Sequence, residues 1–495
     1  MTIISLMGYI ALVALFLTAL IYWKKGGISI IDSFLQNFCG SLFIFSGFVK
    51  AVDPVGTAYK MEQYFQQFES VAAGTWAKFC APLFPWMADH AISFSVIMIV
   101  LEIVVGIMLL LGFLRKWNSW LFFLILIFFT VLTGFTYLTG YVPDGVNFFE
   151  FGKWAEYSKN NMKVTDCGCF GDFIKLEPKI SFFKDIILLI PGIWFLFRWS
   201  KQHQLFSPSL RSSLTGFGTI ATLMFCLSNF IWDEPIIDFR PFKNGADIRA
   251  QKSAEKKAAA NVKMSFKLKN KQSGKIEILE EANYMKNFAA YPKTEWEVVE
   301  QIKSEPEIPE TKISYFDLAD LNGEDKTDSL LLDVNQTYYI ISPKVKYSVK
   351  PQIKILEDST FAFDTVYSDQ SKAQFNIVKT FKGLSKRELK SNEYIFDQDY
   401  IDIFEKKLIP LIDSTRGPKC GVAVVIGGMG EEGIASLREK LNVPYQYFTC
   451  DDIVLKTIMR SNPGLLLMHF GKIEHKWHHN NLPTVEELKE KYIIR

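Results

Sequence analysis

The stretch Ile92–Gly112, ISFSVIMIVLEIVVGIMLLLG, decides the fold class: 21 residues with a single charge, Glu102. About 20 helical residues at about 1.5 Å each cover the hydrocarbon core of a bilayer. Lipid offers a backbone no water to bond, so a stretch of this kind crosses as a helix. Five more stretches like it accompany this one: Ile3 to Trp23, Ile30 to Phe48, Trp117 to Leu138, Ser181 to Trp199 and Leu214 to Trp232. The charge count divides the 495-residue chain at the same place. Residues 1–231 carry 16 Lys/Arg and 13 Asp/Glu against 39 and 40 afterwards, and 30 of the 43 Phe lie in the first part. A Phe-rich, charge-poor half joined to a charge-rich half is the composition of a membrane domain fused to a soluble one, and it excludes a wholly soluble enzyme. The net charge of +2 gives no reason to expect nucleic acid as a partner.

Lys and Arg near the span ends set the expected orientation. Lys24 and Lys25 follow span one, Arg115 and Lys116 separate spans three and four, and Arg198, Lys201 and Arg211 surround the loop between five and six. These three short loops are expected in the cytoplasm. The long loops Val49 to Ala91 and Thr139 to Ile180, with everything after Trp232, then face outward. No Lys or Arg precedes the first span, unlike a signal peptide.

From Asp233 to about Pro309 the chain reads as a small β-containing connector, with a short helix or linker at Ala254 to Ala260 and a hairpin of Lys263–Leu268 and Lys275–Leu279 around Gly274. Strand signals follow at Lys312–Leu318, Thr337–Ser342 and Gly421–Ile426, and helical spacing at Tyr400–Ser414 and Glu431–Leu441. Then come a strand at Tyr445–Thr449, a helix at Ile453–Arg460, a strand pair at Gly464–Phe470 and Lys472–Trp477, and a final helix from Thr484. This alternation predicts a small α/β sandwich, with Lys344 to about Asp399 an insertion.

Asn462, Pro463 and Gly464, followed by LLLMHFGKIEHKW, resemble the strand, turn and strand of thioredoxin-like domains, where a proline before the penultimate strand is cis beside the active site. The resemblance covers about Ile313 to Lys491 and implies a cis Pro463. It departs from the pattern at the thiols: no Cys occurs from Leu227 through Lys419, so the Cys-x-x-Cys that should follow the strand near Ser342 is missing. The thiolate is the nucleophile of disulfide exchange, so this globule is not expected to catalyse it by the usual route. Cys420 and Cys450 are expected at opposite ends of the sheet, too distant to bridge, as ordinary thiols. His475, His478 and His479 surround Trp477, but neighbouring strand residues alternate faces, so His478 and His479 should diverge and no metal is expected.

The local signal richest in chemistry is DCGCFGD, Asp166 to Asp172, on the second outward loop. Two Cys separated by one residue close a very small ring and need a bend at Gly168, which has no Cβ to obstruct it. Such a ring removes little unfolded-state entropy, and strain makes it easier to reduce. An exposed pair of this kind, Cys167 and Cys169, suits electron exchange; a static disulfide, two idle thiols and a metal site stay open as other readings.

With this motif the first half resembles the DoxX and MauE-like membrane proteins, four-helix modules tied to redox and disulfide maturation. FIFSGFVKAVDP, Phe43 to Pro54, and LEIVVGIMLLLG, Leu101 to Gly112, look like their first and second core helices, and CGCFGD, Cys167 to Asp172, looks like the MauE-type cysteine element. The resemblance covers about Gly40 to Trp199, with span one an addition. Fusion to a thioredoxin-like tail is similar to an architecture of DoxX-family proteins in Bacteroidetes-type bacteria.

Glu102, mid-span, costs roughly 2.5–3.5 kcal/mol on insertion scales and should face the bundle, as a proton relay, a quinone contact or a cross-helix hydrogen bond. Lys50 and Asp53 sit at the end of span two, explained by snorkelling and a local ion pair or, more sharply, by a role beside the CGC loop. Cys80 is the other outward Cys of this half and a candidate resolving thiol, while Cys39 and Cys226 read as packing residues.

The expected architecture is a membrane α-helical bundle of six spans with a DoxX-like four-helix core, a periplasmic α/β thioredoxin-like domain and a β-containing connector. Its boundaries are 1–29 for the extra span, 30–200 for the DoxX/MauE-like domain, 201–232 for the sixth span, 233–309 for the connector and 310–495 for the globule, with the insertion near 344–399. The expected function is a bacterial inner-membrane thiol/disulfide redox protein. Cys167 and Cys169 exchange electrons with an envelope protein, supported by Gly168, Phe170, Asp172, Glu102, Lys50 and Asp53, with quinone as the candidate cofactor. The alternative is a non-catalytic membrane scaffold or assembly factor whose redox-inactive tail binds partner proteins.

Overall fold

The computed structural model describes residues 2–25, 29–164, 168–304, 306–367, 375–417 and 420–492. Among these residues six helices are long and apolar enough to cross a bilayer, which makes the chain a multi-pass membrane protein. They are α1 (Ile3–Lys25) and α2 (Ile30–Val52) and then, after α3 (Pro54–Ala73) and the short α4 (Leu83–Asp89), α5 (Ala91–Leu111), α6 (Arg115–Thr139), α7 (Pro178–Arg198) and α8 (Pro208–Leu227). Within the bundle α1 and α5 pack on α2, and α6 runs along α7. Glycines set the crossing of α2 and α5: a Cβ on Gly40 of α2 would lie 2.9 Å from the Gly106 carbonyl of α5, and one on Gly106 2.8 Å from the Gly40 carbonyl. Small residues at such a crossing let two backbones touch without side chains between them.

The segment 49–91, expected to be a loop, is in large part α3. Asp53 caps α3, accepting from the Gly56 N–H at 3.0 Å, and Pro54 takes the first helical position. Its polar residues gave no span signal, and its helical period is that of an amphipathic segment.

Beyond the bundle, α9 (Ile248–Ala260) leads into β1 (Met264–Asn270), β2 (Ile276–Glu280), α10 (Glu281–Lys286) and β3 (Trp296–Lys303). The strands form an antiparallel sheet ordered β2-β1-β3, so the expected hairpin gains a third strand. The strand expected at Lys312–Leu318 is instead a 3-10 turn at Lys312–Tyr315. Ile313 and Phe316, three apart, share one core, and that spacing suits a threefold turn better than a pleat.

The globule continues with α11 (Thr327–Leu331), β4 (Gln336–Ser342), β5 (Tyr347–Tyr367), β6 (Phe375–Phe396), α12 (Gln398–Ile403), α13 (Ile409–Thr415), β7 (Gly421–Ile426), α14 (Glu431–Leu441), β8 (Gln446–Thr449), α15 (Asp452–Ile458), β9 (Gly464–His469), β10 (Lys472–His478) and α16 (Val485–Lys491). Its sheet is ordered β10-β9-β4-β7-β8, with β4, β7 and β8 parallel and β9 and β10 antiparallel. β4 is buried along its whole length: Tyr338 and Ile340 enter one core, Tyr339 and Ile341 the other. A strand covered on both faces reads as a continuous apolar run, as TYYII does. Among the described residues β5 and β6 pair only with each other, as a long antiparallel arm. The Asn462–Pro463 peptide is cis.

Candidate functional site

Residues 168–172 form a loop bent by two glycines in the left-handed region, Gly168 at φ 61° and Gly171 at φ 51°. The bend folds the loop onto α2, where the Ser46 hydroxyl donates to the Cys169 carbonyl at 3.0 Å. Phe170 is fully buried, its ring 6.5 Å from that of Phe45. Cys169 is a half-buried free thiol, less open than the exposed thiol expected, while Cys167 and Asp166 lie outside the described residues.

Cys169 lines a cavity of about 20 Å³ with Ser46, Lys50, Glu102, Lys184 and Asp185. The Lys50 ammonium donates to Glu102 at 2.6 Å and that of Lys184 to Asp185 at 2.5 Å, while the Thr133 hydroxyl donates to the second Asp185 oxygen at 2.9 Å. Lys50 also stands 4.7 Å above the Phe129 ring. All four charged groups are shielded from solvent, and a buried charge is tolerable only when paired. The set sums to zero net charge beside a sulfur.

This geometry corrects the expectation for Lys50. It neither snorkels nor pairs with Asp53, because α2 continues to Val52 and turns Lys50 inward, where Glu102 of α5 needs a cation. Lys184 and Asp185 escaped the sequence reading. The signal was present: an adjacent Lys-Asp pair within the apolar run of span five. Burial pushes the Cys169 thiol above its ordinary pKa; Lys184 and Lys50 oppose that push, and Asp185 and Glu102 reinforce it.

Asp53 has a different partner, 407 residues away. Arg460 grips it in two bonds, Nε to Oδ1 at 2.7 Å and Nη2 to Oδ2 at 2.5 Å, and approaches Asp172 of the loop at 4.0 Å. Burial alone would raise Asp53, but the Arg460 guanidinium holds it below the usual carboxylate range. Gly56 makes room for the grip, since a Cβ there would meet Asp53 Oδ2 at 2.6 Å and Arg460 Nη2 at 2.9 Å. Behind it, Glu234 accepts from the backbone N–H groups of Arg460 and Ser461, both at 2.8 Å, and Arg240 bonds Glu234 and Asp238. The grip therefore joins the globule, just ahead of Pro463, to the bundle end that carries residues 168–172.

Other expected residues are not brought to Cys169. Cys80 lines a separate groove of about 690 Å³ with Phe68, Phe84, Phe135 and Phe148. Cys39 and Cys226 are buried in the bundle. Cys420 precedes β7 and Cys450 follows β8, and since these strands are parallel the two thiols stand at opposite ends. The rings of His478 and His479 do not diverge but lie 4.4 Å apart, because β10 ends at His478 and His479 turns toward Ser461, its Nδ1 2.7 Å from the hydroxyl.

No family model, curated protein or solved structure matches this chain. The site's chemistry alone carries the functional reading.

Proposed function

We propose that the chain is a membrane thiol/disulfide redox protein of the bacterial inner membrane that exchanges electrons with an envelope protein through Cys167 and Cys169. The observation that carries this reading is the seat of Cys169, on a glycine-bent loop in one cavity with two buried ion pairs. A lone buried thiolate would be costly there. The Lys184 and Lys50 ammoniums of the same cavity favour the thiolate and oppose that cost.

In the exchange, one cysteine thiolate attacks the partner's disulfide, forming a mixed disulfide and expelling the partner's second sulfur, which takes a proton. The other cysteine then attacks the mixed disulfide. The partner leaves as a dithiol, the Cys167–Cys169 bond forms, and two electrons have passed to the partner; the reverse sequence oxidises it. A quinone does not fit the apolar groove at Cys80. Its lining is apolar except for Cys80 and Thr130, whose hydroxyl is taken by the Leu126 carbonyl, so the groove lacks donors for a quinone head.

The α2, α5, α6 and α7 packing supports a DoxX/MauE-like four-helix core. The order β10-β9-β4-β7-β8 and the cis Pro463 support a thioredoxin-like globule. The periplasmic placement rests on Arg115, Lys116 and Lys201, at the bundle end opposite the Asp53–Arg460 grip. The test is trapping: Cys167→Ser and Cys169→Ser variants, each alone, should hold an envelope protein as a reductant-sensitive adduct. A Cys167→Ser/Cys169→Ser variant that fully restores the function of a deletion strain overturns the reading. One observation favours the scaffold alternative: the Arg460 grip holds a globule without thiols at the β4 end against the bundle.

A further inference from the structure

Between α3 and the globule lies a cleft of about 430 Å³, within the about 300–1,000 Å³ of ligand pockets. One wall is α3 with the loop after Cys169; the other is the carboxyl ends of β4, β7 and β8, at Pro343, Gly428 and Asp452. From β4 the chain steps to β7 and β8 on one side, then returns to β9 on the other. A crevice outside the strand ends at such a reversal is where open α/β sheets take ligands. Six bases line it, Lys60, Lys175, Lys312, Lys344, Lys456 and Arg460, against three acids, Glu62, Asp172 and Asp452. Lys456 already pairs with Asp452 at 2.9 Å and Lys175 with Asp172 at 3.6 Å. Even with Asp53 counted and Lys60 set aside, bases exceed acids by one, so the cleft attracts negative charge.

We propose that this cleft binds an acidic, extended segment of the partner protein and holds that partner against the cysteine loop; the assignment rests on the thiol-exchange reading and names the partner's chemistry. The cleft reaches the loop directly, because a Cβ on Gly168 would lie 3.4 Å from Cγ of Lys60. A peptide suits the walls better than an anionic lipid does. Apolar lining is confined to Tyr59, Pro343 and Ile453, too little for acyl chains, and the groove that could bed them lies at the far end of α3, at Phe68, Val71 and Ala72.

The test uses the full chain in nanodiscs of neutral lipid and a fluorescent Asp/Glu-rich peptide of about eight residues, followed by anisotropy, with a Lys-rich peptide of equal length as control. The acidic peptide should bind, weaken as salt rises from about 50 to 500 mM, and lose about tenfold in affinity with Lys312→Glu/Lys344→Glu. A Lys312→Gln/Lys344→Gln variant should lose less, and guards against misfolding as the cause. Binding untouched by these substitutions, equal binding of the Lys-rich peptide, or competition by phosphatidylglycerol vesicles alone overturns the assignment. Adduct trapping at Cys167 or Cys169 separates the two readings. Undiminished trapping in the Lys→Glu variant sinks the cleft while sparing the exchange; peptide binding without trapping in any variant sinks the exchange.

Discussion

Replacing Glu102 by Gln should destabilise the bundle by about 3–5 kcal/mol, the range for breaking a buried pair from one side. Lys50 Nζ lies 2.6 Å from Glu102 Oε2, and both side chains are nearly sealed from solvent. At that separation two unit charges attract by about 6 kcal/mol for an effective dielectric of about 20. Desolvation offsets much of this in the intact pair, so the cost comes from the ammonium left without a partner. The other carboxylate of the cavity cannot substitute, because Asp185 is held by Lys184 and Thr133. Removing both charges, as Lys50→Met/Glu102→Leu, strands nothing and should cost about 1 kcal/mol or less. The cycle closed by the single variants Lys50→Met and Glu102→Leu, each of which strands a charge, should therefore show a coupling of about 3 kcal/mol or more. Reversible unfolding in mixed micelles, followed by tryptophan fluorescence, measures it. Additive single costs, or a Glu102→Gln cost under about 1 kcal/mol, would refute the argument that the two residues are a buried unit.

The grip on Asp53 makes a prediction about docking: Arg460→Ala and Gly56→Ala should each speed protease cleavage between bundle and globule, and equal rates in wild type and variants would remove the grip's role. Because Arg460 holds Asp53 below its usual range, the stabilisation is present above the unfolded value of about 3.9 and lost as pH falls through the lower folded value. Docking should thus persist to about pH 4 and weaken below it, read by the same cleavage assay. His479 acts at milder pH, since burial, then His478, pull it down to about 4. The unfolded chain protonates this group near 6.5, so stability is complete above about 6.5 and declines toward pH 4, where the folded form also protonates. His479→Asn should make the melting temperature of the full chain fall less steeply between about pH 6.5 and 4.5, with buried His475 and His478 keeping part of the slope; a slope unchanged from wild type would contradict the assignment.

Much of the architecture was legible in the sequence because it is local. A stretch such as Ile92–Gly112 is a span through its own length and apolarity, and TYYII is a covered strand through its own continuity. The two strands of the arm, β5 and β6, are legible only as an insertion, and β3 is not legible at all, because a pairing between exposed strands leaves a weak period. α3 was hidden in a long loop for a related reason: its mixed polarity matches neither a span nor a turn.

The sequence by itself determined that six apolar helices precede a mixed sheet, and that a glycine lies between two cysteines ahead of the fifth. Only the tertiary structure decided which charges face one another. Lys50 meets Glu102 across 52 residues and Asp53 meets Arg460 across 407, partners that no local period records. The physical reason is that helix and strand arise from neighbours along the chain, whereas a buried charge is tolerated only by an opposite charge that folding brings in from elsewhere.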